Sequence, residues 1–202
     1  MQKNNQVAVL VELGIFVAMA VVLDFISGII YEFPYGGSIS IAMLPVFVVS
    51  YRRGWHNGII AGALYGLIQC LLKPPYILSI PQFIMDYFLA FMVIGLGGVL
   101  KNALYKPLPF ALGIVLGSML RYLVASIAGI IFWAEFIPTE IGFMNNIFGM
   151  TLSESAIVIG SFFYNALYMV PSMILCVLIG LAMQNRKILA FNLPKQLIDK
   201  KS

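Results

Sequence analysis

The chain has 202 residues, 61% of them hydrophobic and only 10% charged, with a mean hydropathy of +0.98. Soluble domains carry about 25% charged residues, so this composition excludes an ordinary soluble enzyme. It points to an all-α integral membrane protein whose length allows one domain, residues 1–202. The net charge of +4 comes from Lys and Arg that collect between apolar runs. There they act as orientation signals and not as nucleic-acid contacts.

Six transmembrane helices are predicted, judged against the roughly 20 apolar residues that cross a bilayer. The first covers 7–30. It is too long and lacks a small-residue cleavage site, so it reads as a retained helix and not a signal peptide. Tyr31–Ser38, with Pro34, Gly36 and Gly37, is a turn-rich break. The second span, 39–51, is short or tilted and ends at Arg52-Arg53-Gly54. The third, 57–72, has Gly58, Gly62 and Gly66 four apart and is stopped by Pro74-Pro75. The fourth is 77–100, the fifth 110–133 and the sixth 155–183. The segment 134–154, with Glu135, Glu140 and Glu154, reads as a long acidic loop. Lys3, Arg52, Arg53, Lys101, Lys106 and the basic tail from Gln184 occupy alternate connections, so both termini are expected inside. The external side then holds 31–38, the KPPY turn at 73–76, and 134–154.

Four ionisable residues fall within these spans: Glu12, Asp24, Asp86 and Arg121. An ionised Asp in hydrocarbon costs about 3 kcal/mol on insertion scales, which makes Asp86 a functional-site candidate. Gln82 lies one helical turn before it and Tyr87 is adjacent. Carboxylate, amide and ring suit a small polar, cationic ligand; the other reading is an ion pair with an Arg or Lys on another helix. Arg121 either pairs with Asp24 or Asp86, or contacts the ligand. Glu12 lies near the internal interface and is expected to reach water by snorkelling. Gly129 and Trp133 share a face. Trp133 is either an interfacial belt residue or a stacking surface worth about 0.5–2 kcal/mol to a cation. Ser161, Tyr164, Asn165 and Tyr168 form a polar stripe on the sixth span. Gly14 and Ala18 make a small-xxx-small pair that permits close approach of another helix.

Several chemistries lack their residues. His56 is the lone histidine, no P-loop occurs, and no His/Cys/carboxylate cluster suits a metal. Cys70 and Cys176 read as packing residues. No cofactor, metal or catalytic residue is expected. An intramembrane enzyme and a purely structural subunit are the competing classes. No inverted repeat is visible.

The motifs PYGGSISIAMLP at 34–45, YRRG at 51–54, GxxYGLIQ at 62–69 and PQFxxDYxLAF across 81–91 resemble the thiamine-specific S components of energy-coupling factor (ECF) vitamin transporters. The similarity runs from Val11 to about Pro171. It implies a six-helix bundle in the bacterial plasma membrane that binds a small water-soluble vitamin from outside. It also implies docking on a transmembrane coupling protein (EcfT) driven by two cytoplasmic ECF ATPases. By the same resemblance Gly14 and Ala18 would meet the coupling protein. Asp86, Tyr87, Gly129, Trp133, Tyr164 and Asn165 match ligand-binding positions, with Gln82 and Arg121 beside them. Two positions depart from the family pattern: Ala125 stands where a histidine is usual, and Gly160 where a tyrosine is. Both changes predict a larger pocket and leave a vitamin B6 vitamer or a thiamine precursor as the alternative occupant.

Overall fold

The computed structural model describes residues 2–33, 36–72, 77–149, 153, 156–186 and 188–190. Pro34, Lys73, Pro74, Pro75, Glu154, Lys187 and the tail beyond 190 lie outside the described residues, as does the side chain of Lys3. The chain forms helices α1 (Gln2–Ile30), α2 (Met43–Arg53), α3 (Trp55–Leu72), α4 (Ile80–Val99), α5 (Pro107–Phe132), α6 (Ile137–Phe148) and α7 (Ile157–Asn185). A 3-10 turn follows at Ile188–Ala190. No strand occurs among the described residues.

Four of these helices, α1 (from Gln6), α4, α5 and α7, are long and apolar enough to cross a membrane. Their outer faces carry exposed apolar residues such as Leu10, Ile15, Leu112, Ile131, Ile159 and Ile174. The second expected span behaves differently. At 11 residues, α2 is about 16 Å long, roughly half the hydrocarbon thickness. Every residue from Met43 to Tyr51 is buried, as expected of a helix that is apolar on nearly every side before its two terminal arginines. It is therefore a central strut, with Phe47 packed among Tyr65, Ile94, Phe110, Ile114 and Cys176 in the main core. Its basic end meets α1, because Arg52 and Arg53 both pair with Glu12. Glu12 thus reaches two guanidinium groups and does not snorkel to water. Arg52 also donates to the Leu189 carbonyl, tying the C-terminal turn to the same cluster.

Glycine decides how α3 meets α4. A Cβ at Gly62 would lie 2.2 Å from the Phe91 carbonyl oxygen, and one at Gly66 2.0 Å from that of Tyr87. Small residues let the backbones touch. Helix α4 is irregular: α-helical at Ile80–Phe83, π-helical at Ile84–Leu89, α-helical at Ala90–Met92 and 3-10 over Val93–Val99. It starts at 80 and not 77 because Ser79 caps it, its hydroxyl accepting the Gln82 N–H at 3.3 Å. Pro81 occupies the first turn, where a missing N–H costs nothing.

The acidic segment 134–154 contains a helix, α6, where a loop was expected. Ile137, Glu140, Ile141 and Met144 are its buried face. It packs against Tyr164 of α7 and Phe33 of the first loop, forming a second, smaller core. Gly149 closes α6 in the left-handed conformation, the usual helix stop.

Candidate ligand-binding site

Asp86 sits in the π-helical turn of α4, a type of distortion that concentrates at functional sites. Gln82 is wholly buried and held at both ends. Its Oε1 accepts the Leu78 N–H at 3.2 Å, and its Nε2 donates to Asp86 Oδ2 at 2.6 Å. The Trp133 indole N–H donates to the same oxygen at 2.9 Å. No Lys or Arg pairs with Asp86 among the described residues. The carboxylate therefore keeps its charge-bearing role open, held by two neutral donors. Trp133 is more than an interfacial belt residue, since its polar edge is spent on Asp86. The Tyr87 ring stacks on Phe83 with centroids 5.7 Å apart.

The polar stripe of α7 forms a chain of hydrogen bonds. Tyr168 donates to Asn165 Oδ1 at 2.5 Å, Asn165 Nδ2 donates to the Ser161 carbonyl at 2.9 Å, and the Ser161 hydroxyl donates to the Ser126 carbonyl on α5 at 2.9 Å. A Cβ at Gly129 would lie 2.2 Å from Ser161 Oγ, so Gly129 is what allows α5 and α7 to meet here. Tyr164 donates to the Gly36 carbonyl at 3.2 Å, pinning the first loop over the stripe. Gly37 continues it with a backbone φ of +92°, and a Cβ there would lie 2.7 Å from the Tyr168 ring. The residues singled out on α4, α5 and α7 thus converge on one region under the first loop.

A second feature escapes the sequence. A cavity of about 60 Å³ opens under the first loop, lined by Asp24, Tyr65, Gln69, Arg121, Tyr168 and Ser172 among others. Gln69 Nε2 donates to Asp24 at 2.6 Å. The Tyr65 hydroxyl, Gln69 Oε1 and Arg121 Nε are buried there without a hydrogen-bond partner among the described residues. The Arg121 guanidinium lies 4.3 Å from the centre of the Phe91 ring. Tyr65 and Gln69 are four apart on α3 and belong to the GxxYGLIQ run, which was the available signal. What it meets comes from helices remote in sequence.

The Gly160 departure does not enlarge the site. A Cβ at 160 would lie 2.8 Å from Ile137 and 2.9 Å from Ile141, so α6 fills the space that a tyrosine would need. Gly14 and Ala18 lie away from all of this, exposed on α1, with nothing within 4 Å of a Cβ built at Gly14.

With this geometry in place, comparison with known proteins is direct. The family described as "Thiamine transporter protein (Thia_YuaJ)" matches residues 10–192. The chain belongs to this family. It is 32% identical over 189 residues to the thiamine transporter ThiT of Bacillus subtilis, covering 89% of this chain and 91% of that protein. It is 29% identical over 156 residues to ThiT of Lacticaseibacillus paracasei, covering 68% and 74%. A solved structure of ThiT from Listeria monocytogenes superposes with a TM-score of 0.73 at 25% identity, covering 90% of this chain and 96% of that one.

Membership in the thiamine transporter family, with several apolar helices, makes this a multi-pass cell-membrane protein. The family match extends across α2, which is too short to span, and across α6.

Proposed function

We propose that this protein is the thiamine-binding S component of an ATP-driven ECF importer. The observation that carries the reading is Asp86, a carboxylate inside a membrane helix held by an amide and an indole N–H, with no cation paired to it among the described residues. Thiamine supplies a fixed positive charge on its thiazolium ring, and family membership points to the same vitamin. In this reading Asp86 neutralises the cation, Gln82 orients Asp86, and Trp133, Tyr87 and Gly129 border the thiazolium. Asn165 and Tyr164 contact the polar ends of the ligand, and Arg121 shapes the floor.

The cavity under the first loop, which Arg121 and Tyr168 line and Asp86 does not, is small for this task. A single benzene occupies an engineered cavity of about 150 Å³, more than twice the volume found here. A two-ring vitamin therefore requires the first loop and Tyr168 to move outward and then close again. The bundle would have six membrane-associated segments with both termini inside, so that loop and α6 face outside. The exposed Gly14–Ala18 face of α1 would dock on EcfT. Uptake against a gradient needs the partner ATPases, because binding alone shifts populations and does no net work.

The test is calorimetric titration of thiamine into the purified protein and into Asp86→Asn. A charge-assisted hydrogen bond is worth about 1.5–3 kcal/mol, so the variant should bind about 10- to 100-fold more weakly. Equal dissociation constants would remove Asp86 from the site.

A further inference from the structure

Three residues that line the cavity under the first loop each hold a buried polar atom with no hydrogen-bond partner among the described residues: Tyr65 its hydroxyl, Gln69 its Oε1 and Arg121 its Nε. Leaving such atoms unpaired in a folded protein is costly, and three around one cavity form a set. Contacts bring them together. Tyr65 and Gln69 are four apart on α3 and share a face. The Tyr65 ring, wholly buried, packs edge-on against Phe91 with centroids 4.8 Å apart. The Arg121 guanidinium lies 4.3 Å from the centre of the same ring. Gln69 is fixed by the bond from its Nε2 to Asp24 at 2.6 Å, which leaves Oε1 as the open acceptor.

The chemistry of these atoms defines what they recognise. Gln69 Oε1 only accepts, Arg121 Nε only donates, and a tyrosine hydroxyl does either. A neutral hydroxyl on a ligand completes the set: it donates to Gln69 and accepts from Arg121 or Tyr65. An ionised phosphate or carboxylate has no proton for Gln69 and would face Asp24 and Glu32, which line the same cavity. An ammonium offers no acceptor to Arg121. Volume agrees. About 60 Å³ is less than half of the roughly 150 Å³ that takes one benzene, and it suits a hydroxyl on a short carbon arm.

We propose that Tyr65, Gln69 and Arg121 form an alcohol subsite that seats the hydroxyethyl arm of the ligand. This rests on the thiamine reading above, since thiamine carries that arm on its thiazolium ring, the ring whose charge Asp86 is read to neutralise. The two places adjoin through a backbone contact. A Cβ at Gly66, the residue after Tyr65, would lie 2.0 Å from the carbonyl oxygen of Tyr87, the residue after Asp86. A ring held at Asp86 thus has its arm beside α3, where Tyr65 and Gln69 line the cavity.

The experiment compares, by calorimetric titration, thiamine with the analogue whose arm ends in a plain ethyl group. In the wild type, loss of the hydroxyl should weaken binding about 10- to 100-fold, the range for a hydrogen bond with a charged partner. In Gln69→Met, which keeps the length of the side chain and removes the acceptor, the ratio between the two ligands should fall by about threefold or more. The hydroxyl has then lost a partner and the ethyl arm has lost nothing. Gln69→Met also releases Asp24; where it fails to fold, Tyr65→Phe, which deletes a single oxygen, gives the same readout. Wild-type protein that binds both ligands equally would overturn the alcohol subsite and leave the thiamine reading intact. A ligand ratio that stays at the wild-type value in the variant would do the same. Failure of the wild type to bind thiamine at all would overturn the thiamine reading itself, and the subsite with it.

Discussion

Gln82 carries no charge, yet the position of Asp86 depends on it. Its amide is anchored by the Leu78 N–H and spends its own N–H on the carboxylate, so the site's charge is set before any ligand arrives. Gln82→Leu would leave the Leu78 N–H unpaired and Asp86 with Trp133 alone as side-chain donor. Such losses cost about 1–3 kcal/mol each when buried. The variant is expected to melt at a lower temperature in detergent and to bind thiamine more weakly; unchanged melting and affinity would show that Gln82 is a bystander. At this scale the sequence was informative where the signal is local. Asp86 stands out as a carboxylate in an apolar run, and Gln82 follows from helical spacing. The Trp133 hydrogen bond to Asp86 spans 47 positions and the Gln69–Asp24 bond 45, so no local pattern announces either.

Among the elements, α6 departs most from the sequence reading. Its acidic residues and lack of spanning length suggested a loop, although Ile137, Ile141 and Met144 recur at helical spacing. What spacing alone does not supply is a partner. That partner is α7, where Gly160 leaves room for two isoleucine side chains. The consequence is testable. Gly160→Tyr should overpack this contact, at a cost of about 1–3 kcal/mol, and loosen α6. Adding Ile137→Ala and Ile141→Ala should recover part of that loss, because the three positions share one space. Melting curves read this directly; strictly additive losses would mean that α6 and α7 do not compete for the site of the missing tyrosine. Helix α2 teaches a related lesson. A mostly apolar helix of 11 residues that ends in two arginines serves equally as a truncated span or a buried strut, and only its enclosure by the helices around it decides.

For the whole molecule, the division of labour follows from where polarity is placed. Apolar faces of α1, α5 and α7 look outward, the Glu12–Arg52–Arg53 cluster closes one end, and Asp24, Glu32 and Arg121 line the cavity under the first loop. On the function proposed above, this arrangement captures a small cation. The chain's two tryptophans are Trp55, at the start of α3, and Trp133, beside Asp86. Trp55→Phe therefore leaves one fluorophore at the site. The most direct measurement is the emission of that variant, purified and titrated separately with thiamine and with pyridoxine. Saturable, stoichiometric quenching by thiamine, with pyridoxine weak or silent, is the predicted result. Saturation by pyridoxine alone, or no response to thiamine despite confirmed folding, would contradict it.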